Sequence, residues 1–115
     1  IFGIDAPEAA QTCQDRAGSP YSCGERATAY LRAITEGRAV DCSKRDTDRY
    51  GRMVAVCSIG SLDIGAMMVE AGWALDARPY SRGMYTKIQR EAEANQRGMW
   101  AGWFETPADF RRNAR

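Results

Sequence analysis

Ile1-Phe2-Gly3-Ile4-Asp5-Ala6-Pro7-Glu8 opens the chain, and its reading decides what the remaining residues can build. An apolar, β-leaning run ends at Asp5, turns at Pro7 and presents a second acid at Glu8. Pro7 fixes its own φ and biases Ala6 toward extended backbone, so the chain leaves the strand sharply. Asp5 and Glu8 are therefore expected at one strand end with little local freedom. Two carboxylates so placed suit a hard cation with oxygen ligands and an acid or base beside it. The same residues also serve as plain turn chemistry, with Asp5 in an Asx-turn and Glu8 starting a helix.

The rest of the composition narrows the chemistry. A chain of 115 residues is one domain with a single core. Its net charge of +1 gives no global field to steer nucleic acid, so phosphate binding must come from local clusters. Lys44 and Lys87 are the only lysines among 16 basic residues. That arginine bias is compatible with bidentate phosphate recognition. Histidine is absent, which removes Ser-His and Cys-His nucleophile systems and His-ligated zinc sites. Catalysis near neutral pH is left to carboxylates, Arg, Tyr, Lys, Cys or metal-bound water. Cys13, Cys23, Cys42 and Cys57 contain no Cys-x-x-Cys pair, and an even number at wide spacing predicts two disulfides. An oxidising compartment follows as an expectation, secreted or periplasmic. No apolar run approaches about 18 residues, so no membrane span is expected. The strand pattern begins at the first residue, so earlier strands and an export signal are expected upstream.

Working outward, residues 9–23 carry turn chemistry in Ala17-Gly18-Ser19-Pro20-Tyr21-Ser22, with Cys13 and Cys23 placed to close the loop. Ala27, Tyr30, Leu31 and Ile34 then fall on one helical face within 24–36, stopped by Gly37. Segments 38–44 and 52–58 read as the strands of a hairpin around Asp48-Arg49-Tyr50-Gly51. Cys42 and Cys57 lie symmetrically about its centre, which predicts a cross-strand disulfide. A short helix is expected over 63–71, with Ile64, Met67, Met68 and Ala71 inward, ending at Gly72. A last helix over 84–97 turns Ile88 and Ala92 inward. Trp100 and Trp103 are expected to cover an end of the core, and 107–115 reads as a solvated tail. Strand, helix, hairpin, helix, helix is an α+β pattern with helices to one side of a small antiparallel sheet or barrel.

Taken together, Asp5-Ala6-Pro7-Glu8, the intervening helix and Asp48-Arg49-Tyr50-Gly51-Arg52 entering a strand resemble the staphylococcal nuclease (thermonuclease) family. Gly72-Trp73-Ala74, Tyr80 and Gly98-Met99-Trp100 extend the resemblance to about residue 103. It implies an OB-fold five-stranded β-barrel with three helices, the first strands missing from this chain, over 1–103, with 104–115 a C-terminal extension. It also implies calcium-dependent hydrolysis of DNA and RNA phosphodiesters, leaving 3′-phosphates and 5′-hydroxyls. Single-stranded substrates and a monomeric protein are expected.

Residue by residue, the resemblance makes Asp5 a ligand of Ca2+, with the backbone carbonyl of Ala6 beside it where the family has Thr. Glu8 takes the place of the carboxylate that orients or deprotonates the attacking water. Arg52 takes that of one of two arginines on the scissile phosphate, while Asp48, Tyr50 and Tyr80 fall at substrate-binding positions. In the same register the family's other arginine lies one residue before Ile1, and its second calcium aspartate lies on an earlier strand. The chemistry agrees with the residues: extra negative charge on the equatorial oxygens needs a cation and Arg forks, and the water's proton needs a carboxylate. A reading from another class is a non-catalytic OB-type module binding single-stranded nucleic acid or a protein partner. A third is a secreted structural domain whose acids and arginines only solvate its face.

Overall fold

The computed structural model of the chain describes residues 1–48, 51, 53–77 and 81–113. In order these form β1 (Ile4–Asp5), β2 (Cys13–Gln14), β3 (Pro20–Tyr21), α1 (Cys23–Thr35), β4 (Asp41–Thr47) and β5 (Met53–Ile59). β6 (Leu62–Asp63), α2 (Ile64–Glu70), β7 (Leu75–Asp76), α3 (Thr86–Ala94), a 3-10 turn over Gly98–Ala101 and α4 (Pro107–Asn113) follow. The α+β pattern is the one expected.

The hairpin keeps the register that the cysteine symmetry predicts: β4 runs antiparallel to β5 with Cys42 opposite Cys57, and the two form a disulfide. Its first strand is displaced from the expected 38–44. The end of α1 still holds Arg38, whose N–H donates to the Thr35 carbonyl. At the other end a bulge at Arg45 carries the pairing on to Thr47. All seven residues of β4 are exposed. The barrel is not closed by the described residues, which form three separate sheets, β1–β7, β2–β3 and β4–β5–β6. β1 is two residues long and pairs with β7, and among the described residues it is Phe2, just before it, that meets β5, its N–H donating to the Ala55 carbonyl at 2.7 Å.

The core is built by α1 and α2 with the chain that follows. The expected face of α1 is the one used: Ala27 is buried, and Tyr30, Leu31 and Ile34 pack against Ile64, Met68, Val69, Ala74 and Tyr85. On α2 the buried residues are Ile64, Gly65, Met68 and Val69, rather than the expected Met67 and Ala71. Asp63 does not begin this helix but caps it, its Oδ1 accepting from Gly65 N–H at 2.8 Å and Ala66 N–H at 3.3 Å. Capping of this kind satisfies amide groups that the first turn leaves unpaired. α3 starts two residues later than expected, after a turn in which Arg82 and Gly83 take left-handed backbone, at φ 57° and 82°, and Thr86 N–H donates to the Gly83 carbonyl. Its end meets the end of α2 at two glycines. A Cβ on Gly72 would lie 2.1 Å from the Arg97 carbonyl oxygen, and one on Gly98 would lie 2.6 Å from that of Ala71.

The loop over 9–23 is more ordered than its turn residues suggest. β2 and β3 pair within it, and the Cys13–Cys23 disulfide is buried with Met99 against Tyr21, Trp73, Leu75 and Phe104. Trp100 covers this end, edge-on to Phe104 at 5.0 Å. Trp103 does not. It is 60 % exposed, and its backbone instead pairs with Gln14. The 107–115 tail is largely exposed over its described residues, as its composition suggests, but Pro107–Asn113 is helical. This is α4, with Pro107 fully buried at the first helical position.

Each disulfide closes a loop whose entropy is worth roughly 3 kcal/mol. Replacing both Cys13 and Cys23 by Ser should cost more than replacing Cys42 and Cys57, because the first pair also loses buried packing. Urea midpoints of the two double variants, measured without reductant, check the order.

Tyr85 is 2 % exposed, and its hydroxyl donates to Asp63 Oδ2 at 2.7 Å. Burial first, then this bond to Asp63, push the phenol well above its ordinary value. The folded state therefore keeps the proton after the unfolded chain releases it near pH 10. The contribution is complete below that pH and is lost as pH rises above it. Between about pH 9 and about pH 11 the native Tm should fall more steeply than that of Tyr85→Phe. Parallel curves would clear Tyr85 of this role.

Candidate active site at the Asp5–Glu8 turn

The turn is clamped from both sides by backbone. β1 pairs with β7, Ile4 opposite Asp76 and Asp5 opposite Leu75, and Ala77 N–H donates to the Gly3 carbonyl at 2.8 Å. Pro7 is buried, which fixes the direction in which the chain leaves Asp5. The Glu8 carbonyl then accepts from Gln11 N–H at 2.9 Å, and Gln11, itself fully buried, accepts from Gly24 N–H at 3.1 Å. α1 thus begins directly against the turn. A Cβ on Gly24 would lie 1.9 Å from the Glu8 carbonyl oxygen and 2.7 Å from that of Ala9.

The clamp leaves the Asp5 side chain 25 % exposed and that of Glu8 45 % exposed. Both carboxylates converge on one cationic group. Arg111 Nη1 donates to Asp5 Oδ1 and to Glu8 Oε1, each at 3.0 Å, and Nη2 donates to Asp5 Oδ2 at 3.3 Å. The hydrogen bond to Asp5, reinforced by Glu8, holds the guanidinium above its ordinary value against the opposing effect of burial. Ala6 lies between the two acids and is half-buried. The site gathers oxygen donors, but among the described residues no group of three or more His, Cys, Asp or Glu could hold a metal ion.

Asp48 lies at the hairpin tip, half-buried, its carbonyl accepting from Gly51 N–H at 3.0 Å. Arg52, Tyr50 and Tyr80 lie outside the described residues. Cys13, Cys23, Cys42 and Cys57 are all paired as predicted, which leaves no free thiol for chemistry.

Two functional candidates escape a reading of the sequence. Asp76 faces Ile4 across the β1–β7 pair. Its carboxylate accepts from Ser81 Oγ and, at 2.7 Å, from Thr86 Oγ1, while its N–H donates to Gln89 Oε1 at 2.7 Å. It therefore ties both flanks of the segment that carries Tyr80, and no local pattern announces this. Arg111 did leave a signal. Thr106-Pro107-Ala108-Asp109 is a helix-start pattern, and Thr106 Oγ1 accepts from Asp109 N–H at 3.2 Å.

The close approach at Gly24 yields a direct test. Gly24→Ala must push the Glu8 and Ala9 carbonyls away or part α1 from the turn. The variant should lose more than about 2 kcal/mol of stability, the scale of overpacking in a filled site. Urea unfolding measures the loss, and Thr28→Ala on the same helix serves as the control.

Residues 1–102 match the sequence model of the family described as staphylococcal nuclease homologue. The succinoglycan biosynthesis protein ExoI of Rhizobium meliloti (strain 1021) is 34 % identical over 102 residues, covering 87 % of this chain and 53 % of that protein. The probable endonuclease LCL3 of Schizophyllum commune is 34 % identical over 97 % of this chain and 44 % of its own length. The probable staphylococcal-like nuclease CAN2 of rice (Oryza sativa subsp. japonica) is 34 % identical over 98 % of this chain and 28 % of its own length. The chain thus spans about half the length of these relatives, or less. With the family model covering all but the last 13 residues, the chain belongs to the staphylococcal nuclease-like family.

Proposed function

We propose that the chain carries out calcium-dependent hydrolysis of DNA and RNA phosphodiesters. One observation carries the reading: Asp5 and Glu8, held by a clamped turn within a staphylococcal nuclease-like domain, converge on a single point of positive charge. A site that already draws one cation between two carboxylates fits a hard divalent ion. Its donors are all oxygen, as calcium prefers. Asp5 and the Ala6 carbonyl would hold the ion, which supplies positive charge to the phosphate and to the attacking water.

The chain's own residues do the rest. Glu8, the more exposed of the two acids, accepts the proton of the water as its oxygen bonds to phosphorus and the P–O5′ bond breaks, the 5′-oxygen leaving as a hydroxyl protonated from solvent. Arg52 is assigned to the phosphate oxygens, where a fixed guanidinium offsets the charge that grows in the transition state. Asp48, Tyr50 and Tyr80 are assigned to the flanking sugar and phosphate. The five-stranded OB barrel belongs to the same proposal, with β4 an edge strand of its sheet among the described residues. So do a preference for single strands, a monomeric state and a secreted or periplasmic setting suited to two disulfides.

Hydrolysis of heat-denatured DNA tests the reading. Turnover with millimolar calcium should vanish with a chelator, and Glu8→Gln should lower it at least about 100-fold while the fold is kept. An unchanged rate in Glu8→Gln would remove Glu8 from the chemistry. Metal-independent, salt-sensitive binding without turnover would instead identify a non-catalytic single-strand-binding module.

A further inference from the structure

Arg111 sits 106 residues from Asp5 in sequence, yet its guanidinium fills the space between the two acids. It engages both oxygens of Asp5 and one of Glu8. A divalent ion on Asp5 would need the same oxygens, and two cations cannot share them at hydrogen-bond range without strong repulsion.

The backbone that delivers Arg111 is firmly anchored. Trp103 and Gln14 exchange two hydrogen bonds, at 2.8 and 2.9 Å. The buried Gln11 donates its Nε2 to the Glu105 carbonyl at 2.9 Å, and Asn113 Nδ2 donates to Glu105 Oε2 at 2.6 Å. Pro107 is fully buried at the start of α4. The Arg111 side chain itself remains 45 % exposed. A fixed base with a long, exposed arm lets the guanidinium leave the acids without unfolding the helix.

We propose that α4 is an autoinhibitory latch: Arg111 is the resident counter-cation of Asp5 and Glu8, and a divalent ion enters by displacing it. This rests on the calcium reading of the site. Because Arg111 and Glu8 stay largely exposed and Asp5 is partly so, the latch is weak. It shifts the calcium concentration at which the site fills and does not close it.

Calorimetric titration of the native protein, Arg111→Ala and Arg111→Lys with calcium chloride in one low-salt buffer tests the latch. Arg111→Ala should bind calcium roughly threefold to tenfold more tightly, the effect that an exposed ion pair can oppose. Arg111→Lys should fall between, since an ammonium keeps the charge but not the fork on Asp5. Raising the salt should shrink the difference between native and Arg111→Ala. The calcium concentration giving half-maximal hydrolysis of denatured DNA should drop by the same factor as the dissociation constant. Equal calcium affinity in native and Arg111→Ala would overturn the latch and leave the calcium site standing. So would a lower maximal rate with unchanged affinity, which would place Arg111 on the substrate. If neither protein binds calcium, the latch and the calcium reading both fall.

Discussion

The close approach of α1 to the Glu8–Ala9 backbone is the constraint on which the site depends. Gly24 is the second residue of α1 and has no room for a side chain. Its amide is tied to Gln11, whose own amide closes the turn begun at Pro7. Cys23, the residue before it, is locked to Cys13. Helix start, disulfide and turn therefore form one rigid block, and Glu8 projects from it with its backbone already fixed. A carboxylate ordered in this way loses little further freedom when it engages a reactant, which is the advantage of a preorganised site.

The charge balance follows from the same block. Two acids held on a short turn with no histidine near them need a positive group, and within the described fold α4 brings it. Arg is suited to this because its fork meets two carboxylates at once and does not lose its proton near neutral pH. The contact remains open to water on one side, so it orders the surface without sealing it. Arg112, one residue on, pairs with Asp109 of its own helix instead, which leaves Arg111 as the residue of α4 turned to the site.

What could be read in the sequence was what local chemistry determines. Pro7 between two acids, the face of α1 and the cysteine symmetry of the hairpin each follow from spacing within a few residues or a single turn. The features that were missed are long-range. Asp76 is a β residue whose partners Ser81, Thr86 and Gln89 come together only when the chain folds back on β7. Arg111 meets Asp5 across almost the whole chain. Its helix start was visible at Thr106-Pro107, but the docking depends on the buried Gln11 reaching Glu105, a contact no periodicity encodes. Trp103 shows the opposite failure. A large apolar side chain suggests burial, yet the structure uses its backbone and leaves the ring in solvent.

The hairpin raises a different question, since β4 buries none of its seven side chains and so gains little from the hydrophobic effect. Register is weakly determined in such a strand, and a slip of one residue would turn every side chain to the other face. The Cys42–Cys57 disulfide removes that freedom by fixing one pair directly across the ladder. The bulge at Arg45 then re-aims the strand beyond the staple and sets that guanidinium over the Phe2 ring, 5.8 Å from its centre. On the partner strand, the Ala55 carbonyl binds Phe2 N–H, three residues before Asp5. Both strands of the hairpin are thereby tied to the segment that carries the acid. The staple is consequently more than a stabiliser of an exposed arm: it fixes the register through which the hairpin is placed against Asp5.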